Sequence, residues 1–292
     1  MEIYQTEELI DVVYGQTAER ELKLDIIKPI ASEETFPAII YVHGGGWMSG
    51  DKRKVGGEWN ASFAKYGFVC ININFRLSGE AIFPAPLLDV KEAIQWVKSN
   101  ARDYNIDENK VGIWGHSSGG HLATLAALSA DHSEFTSKEQ LVSEKVNAVV
   151  TLAGPVNLLE MGGWHNNPNS PESKFLGGSV QEQSIKAKLA NPVYYINEET
   201  PPVLIIQGDN DEICPVQQSQ LLHKELSNSS YLEIKGADHD FVGGVLTLDE
   251  ILCLVRSFFT RNLKTGLMSK NELAIHRKEV KKVMNWFKEN SK

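Results

Sequence analysis

Cysteine is scarce in this chain, with three in 292 residues, at positions 70, 214 and 253. Their number is odd, and their spacing fits neither a metal-ligand motif nor a disulfide framework. Buried free thiols in a cytoplasmic protein are the expectation. Long apolar runs are also missing, so no stretch is expected to span a bilayer. The opening residues, MEIYQTEE, are acidic and lack a basic segment and an apolar core. A secretory signal is therefore not expected. Lysine and arginine number 29 against 38 aspartates and glutamates, a formal charge of −9. That balance argues against nucleic acid or an anionic membrane as a partner. Internal repeats and low-complexity tracts are absent, which excludes repeat architectures.

What is present is the composition of a globular protein, 42% hydrophobic and 23% charged. Short apolar runs alternate with helix-like stretches. Runs 8–14 and 20–29 read as an antiparallel edge hairpin, because the second alternates apolar and charged residues. Runs 68–75 and 231–234 read as further strands, and runs 36–42, 110–114, 146–152 and 202–208 are nearly continuous in apolar residues. Strands covered on both faces of a parallel sheet look like this. Helices are predicted over 58–66, 86–104, 121–128, 216–226, 246–259 and 279–288. The order predicts one α/β domain over 1–292, a mostly parallel central sheet flanked by helices. Periodicity is lost over 154–191, after the sixth predicted strand. A connection that long, carrying Trp164, reads as a small cap inserted over a site. The apolar run 246–259 is either a core helix or the interface of a homo-oligomer.

Two glycine-rich stretches carry the chemistry. Gly115-His116-Ser117-Ser118-Gly119 lies between a predicted strand and a predicted helix. A serine on so sharp a turn has a strained backbone, and glycines two residues to either side let strand and helix close around it. This is the setting of a nucleophile elbow, with a helix N-terminus pointing at any oxyanion formed there. His43-Gly44-Gly45-Gly46-Trp47 follows a buried strand directly. Bare backbone there can bring N–H groups onto a substrate carbonyl oxygen, as an oxyanion loop does. Acids cluster after the seventh predicted strand, at Asp209, Asp211 and Glu212, and His239 follows the last one. Both places lie at the carboxyl ends of strands, where sites on open α/β sheets form. His165 reads as a cap residue rather than a catalytic one. Asp89 either pairs with Arg76 beneath the glycine loop or is a solvated helix charge.

Six segments together carry a family resemblance: HGGGWMSGDK (43–52), FRLSGEAIFPAPLLDV (75–90), GIWGHSSGGHLA (112–123), NSPESKFLGG (169–178), GDNDEICP (208–215) and GADHDF (236–241). They resemble the carboxylesterases of the α/β-hydrolase fold, in particular bacterial feruloyl and acetyl-xylan esterases. The HGGGW loop is similar to that of the hormone-sensitive-lipase group. The resemblance covers about residues 8–245. It implies Ser117 as nucleophile, His239 as base and Asp211 as the acid that orients it. Asp209 lies too close to the strand end for that role, and Glu212 would open the next segment. The implied oxyanion hole is the backbone of Gly45, Gly46 and Ser118, and the implied substrate is a small carboxylic ester, with no cofactor and no metal. Asp240 departs from the family's usual glycine and sets a second carboxylate beside the base. Trp47, His116 and Trp164 are candidate substrate-binding residues. The tryptophans read equally as core or cap aromatics, and His116 equally as a structural side chain of the elbow. The rival readings are an amidase of the kynurenine-formamidase type, a serine peptidase, and a binding protein without catalysis.

Overall fold

The structure is a computed structural model and describes residues 3–31, 34–54, 56–135 and 142–264. The predicted helix over 279–288 lies outside the described residues. Eight strands form one sheet: β1 (Thr6–Gln16), β2 (Glu21–Pro29), β3 (Phe36–Val42), β4 (Val69–Ile73), β5 (Ile106–His116), β6 (Ala148–Leu152), β7 (Val203–Gly208) and β8 (Ser229–Ile234). Their spatial order is β1-β2-β4-β3-β5-β6-β7-β8. β1 and β2 pair antiparallel, β2 joins β4 antiparallel, and the remaining pairs are parallel. Every residue of β3, β4, β6 and β7 is buried, as the unbroken apolar runs require. β1 stays largely exposed at the edge.

The helices are α1 (Gly57–Ala61), α2 (Ala85–Ser99), α3 (Ser118–Leu128), α4 (Pro171–Leu176), α5 (Ser184–Leu189), α6 (Val216–Glu225) and α7 (Leu248–Leu263). The pleat of β3 divides the core in two. Ala38, Ile40 and Val42 pack with Leu87, Val90 and Ile94 of α2 and Leu122 and Leu125 of α3. Ile39 and Tyr41 point to the other face and pack with Phe63, Trp114 and Ile251, Val255 and Phe259 of α7. The apolar side of α7 is thus a core face. A Thr247–Glu250 capping box starts that helix.

Some boundaries differ from the expectation. The helix expected over 58–66 breaks into α1 and a 3-10 turn, Ala64–Tyr66, because Phe63 turns into the core there. The helix expected to reach 104 ends at Ser99, and Ala101–Tyr104 is a 3-10 turn. β5 begins at Ile106, four residues before the apolar run, because its first part pairs with the start of β3 through Phe36 and Ile106. Between β6 and β7 the chain makes three 3-10 turns together with α4 and α5. Elements this short carry no readable period.

Asp89 resolves in favour of pairing. It is 1% exposed and accepts from the Arg76 backbone N–H at 2.8 Å and from Arg76 Nε at 2.9 Å. The bracket holds the loop after β4, from which the N–H and hydroxyl of Ser78 donate to the Trp47 carbonyl at 2.8 and 3.0 Å. The helix charge thereby braces the glycine loop from below.

Candidate active site

The strands β3, β5, β7 and β8 deliver their following loops to one edge of the sheet. Ser117 tips the turn between β5 and α3 at φ 55°, ψ −127°, a left-handed value that a non-glycine residue adopts only when its surroundings enforce it. Its N–H donates to the Leu152 carbonyl at 2.8 Å, and its carbonyl accepts from the His121 N–H at 3.0 Å. A Cβ on Gly119 would lie 2.1 Å from the Val42 carbonyl oxygen, and one on Gly115 2.4 Å from the carbonyl carbon of Gly119. Only glycine fits at either place, so the pentapeptide records a close crossing of β3, β5 and α3.

Three side chains form a line. His239 Nε2 lies 2.9 Å from Ser117 Oγ, and His239 Nδ1 lies 2.8 Å from Asp211 Oδ2. Asp211 Oδ2 also accepts from Gln207 Nε2 at 2.8 Å. Its Oδ1 accepts from the N–H groups of Ile213 and Cys214 at 2.8 and 2.7 Å. Burial pushes the Asp211 carboxyl up. His239 and these N–H donors outweigh that and hold it below its ordinary range, so it stands ionised beside the imidazole. Asp209 takes no part in the line and accepts instead from the Gly236 N–H. Asp240 does not turn His239 away from Asp211. Its side chain is largely exposed, and its carboxylate is 4.0 Å from His116 Nε2.

The glycine loop passes over the serine. A Cβ on Gly44 would lie 3.4 Å from Ser117 Cβ and 3.0 Å from the His116 carbonyl oxygen. Gly45 has φ 119°, and a Cβ there would meet the Ser49 carbonyl oxygen at 2.2 Å. Among the described residues, the N–H groups of Gly45, Gly46 and Ser118 donate to no protein acceptor. They are free to donate to a ligand oxygen. His43 pins the loop from inside: it is buried, stacks on Phe75 at 4.4 Å, and places Nδ1 2.8 Å from the Gly44 carbonyl.

Ser117 and His239 line an open cavity of about 690 Å³. Trp164, half exposed, also lines it. Trp47 borders it, but its ring is turned into the core. That ring is 2% exposed, stacks on Phe175 at 4.7 Å and donates from Nε1 to His121 Nδ1 at 3.3 Å. His121 Nε2 in turn donates to the Ala190 carbonyl at 2.7 Å. Burial pushes the His121 ring down to about 4, so it stays neutral and can accept from the indole. His116 lines the cavity as well, and its Nε2 donates to the His239 carbonyl at 2.9 Å. Burial, with His239 nearby, lowers it to about 4. His116 thus holds the backbone of the candidate base. Gln207 and Glu172 are two further residues of the site that local sequence hardly marks. Gln207, a polar residue closing an apolar strand, was the one available signal of the first. Glu172 lies within NSPESKFLGG (169–178) with nothing in the sequence to mark it.

A serine on a strained strand-to-helix turn, a histidine and a carboxylate in line at the carboxyl edge of a mostly parallel sheet define an α/β hydrolase. Within that class the chain belongs to the BD-FAE family, which matches residues 24–226. It is 31% identical over 240 residues to Esterase LipQ of Mycobacterium tuberculosis, an alignment covering 79% of this chain and 56% of the relative. It is 30% identical over 243 residues to the probable carboxylic ester hydrolase LipM of the same organism, covering 79% of this chain and 56% of that one. The chain thus spans about half the length of these curated relatives. Among solved structures, a truncated form of a carbohydrate esterase from gut microbiota is 30% identical with a TM-score of 0.79, covering 90% of this chain and 98% of that one. Esterase 2 of Thermogutta terrifontis, phosphorylated by paraoxon, has a TM-score of 0.71 at 23% identity, covering 87% of this chain and 94% of that one, a likeness of fold. Among the described residues, no helix is long and apolar enough to cross a membrane.

Proposed function

We propose that the protein is a serine carboxylesterase that cleaves small or short-acyl esters through an acyl-enzyme. The observation that carries this reading is the continuous line from Ser117 Oγ through His239 to Asp211, at 2.9 and 2.8 Å. Ser117 Oγ attacks the ester carbonyl carbon as His239 Nε2 takes its proton. Ionised Asp211 fixes the imidazole tautomer and stabilises the imidazolium. The N–H groups of Gly45, Gly46 and Ser118 receive the oxyanion. The C–O bond to the alcohol then breaks, and His239 returns the proton to the leaving oxygen. Water, deprotonated by the same imidazole, releases the acid and restores Ser117.

The esterase names of the matched relatives support ester cleavage over amide or peptide cleavage. We read residues 1–292 as one hydrolase domain and 154–191 as its cap, because Met161, Trp164 and Pro171 of that segment line the cavity. The free cysteines support a reducing, cytoplasmic setting. The test is a p-nitrophenyl ester series from acetate to laurate. Turnover is expected to be highest at acetate to butyrate and to fall steeply with longer chains. A flat or rising profile would overturn the short-acyl reading.

A further inference from the structure

A second buried histidine–carboxylate pair stands in the cavity wall, and the acyl-transfer steps do not use it. His165 Nδ1 lies 2.9 Å from Glu172 Oε1. Each residue is 3% exposed, and both line the cavity that holds Ser117. Local structure fixes them. His165 sits in the 3-10 turn Gly163–Asn166. The Ser170 hydroxyl donates to the His165 carbonyl at 2.7 Å and accepts from the Ser173 N–H, capping α4, whose second residue is Glu172. Pro171 sets the pair beside the glycine loop, since a Cβ on Gly46 would lie 3.1 Å from Pro171 Cβ. The Trp164 ring lies over His165 at 3.8 Å between centroids and 30° between planes.

The pair is not fully satisfied. Glu172 Oε2 is buried and accepts no hydrogen bond from any described residue. His165 Nε2 has no hydrogen-bond partner among the described residues either. A buried carboxylate oxygen without a donor is unfavourable, and apolar side chains would brace the segment as well without it. With Nδ1 turned to Glu172, Nε2 is the ring atom left to face a ligand.

We propose that His165, oriented by Glu172 and flanked by the face of Trp164, binds a hydroxyl group of the ester and gives the enzyme a preference for hydroxylated esters. This rests on the esterase reading above. Nε2 hydrogen-bonds the hydroxyl, which can donate or accept, and the indole packs against the C–H groups of the same chain. Glu172 is the positioning residue. An ester lacking the hydroxyl covers Nε2 without giving it a partner, which is the basis of discrimination.

The experiment compares glycerol monoacetate, propyl hydroxyacetate and propyl acetate, which carry the hydroxyl on the alcohol, on the acyl group and on neither. The wild-type chain is expected to favour one hydroxylated ester over propyl acetate by about 10-fold in kcat/KM, and which one tells the side of the ester that His165 reads. His165→Phe should erase that preference, mainly through KM, and leave propyl acetate within about twofold. Glu172→Gln should lower the preference by about threefold, because the amide oxygen still accepts from Nδ1–H without the charge. Equal losses on all three esters in both variants would assign the pair a purely structural role and overturn the proposal. A wild type that turns over p-nitrophenyl acetate yet shows no preference would overturn the subsite alone. A wild type inactive on every ester would overturn the esterase reading, and the subsite with it.

Discussion

Replacing Ser117 with alanine is expected to lower the turnover of p-nitrophenyl acetate by roughly 10⁵- to 10⁶-fold. Its stability should barely change. The Ser117 hydroxyl makes one hydrogen bond, to His239, while the backbone turn is held independently by the Leu152 carbonyl and the His121 N–H. Alanine accepts the same φ of 55° under the same restraint. The residual rate should reflect donors of the glycine loop and elbow, which the substitution leaves in place. Thermal melting measured beside the kinetics separates loss of chemistry from loss of fold. A variant that keeps even a hundredth of the wild-type rate would remove Ser117 from the nucleophile's role.

Asp211→Asn is the second large effect, with turnover expected to fall by about 10⁴-fold. Four donors converge on this carboxylate: the N–H groups of Ile213 and Cys214, Gln207 Nε2 and His239 Nδ1. An ionised carboxylate only accepts, so all four are satisfied. An amide has one accepting oxygen, so its NH₂ must face either the two backbone donors or Gln207 and His239. In the first case the turn after β7 is strained. In the second His239 loses its partner and the tautomer that leaves Nε2 free to take the serine proton. The variant should therefore lose stability as well, by about 1–3 kcal/mol. Unchanged turnover would mean that another group orients His239.

The parts of this site that a reader of the sequence could find were those written locally. Gly115 and Gly119 are legible because a Cβ at either would strike backbone, so their spacing around Ser117 is a steric record of the turn. Asp211 and His239 are legible because each lies just past a strand run, and the buried run of β7 is unmistakable. What stayed open was decided by partners far along the chain. Trp47 turns inward because Phe175 and His121 stack and bond with it there. His116 lines the cavity and also bonds through Nε2 to the His239 carbonyl, a partner far along the chain. The open reading of Asp89 closed on the Arg76 bracket. The His165–Glu172 pair joins a 3-10 turn to a short helix, and elements of that length leave no periodic trace.

Covalent labelling reads out whether Ser117 is the activated nucleophile. With paraoxon, Ser117 Oγ should form a bond to phosphorus as p-nitrophenolate leaves, His239 taking the serine proton. Intact and peptide mass spectrometry are expected to find one diethylphosphoryl group per chain, on Ser117, with hydrolytic activity lost in proportion and no label on Ser117→Ala. Label on another residue accompanied by loss of activity, or full activity in a chain labelled at Ser117, would rule Ser117 out as the nucleophile.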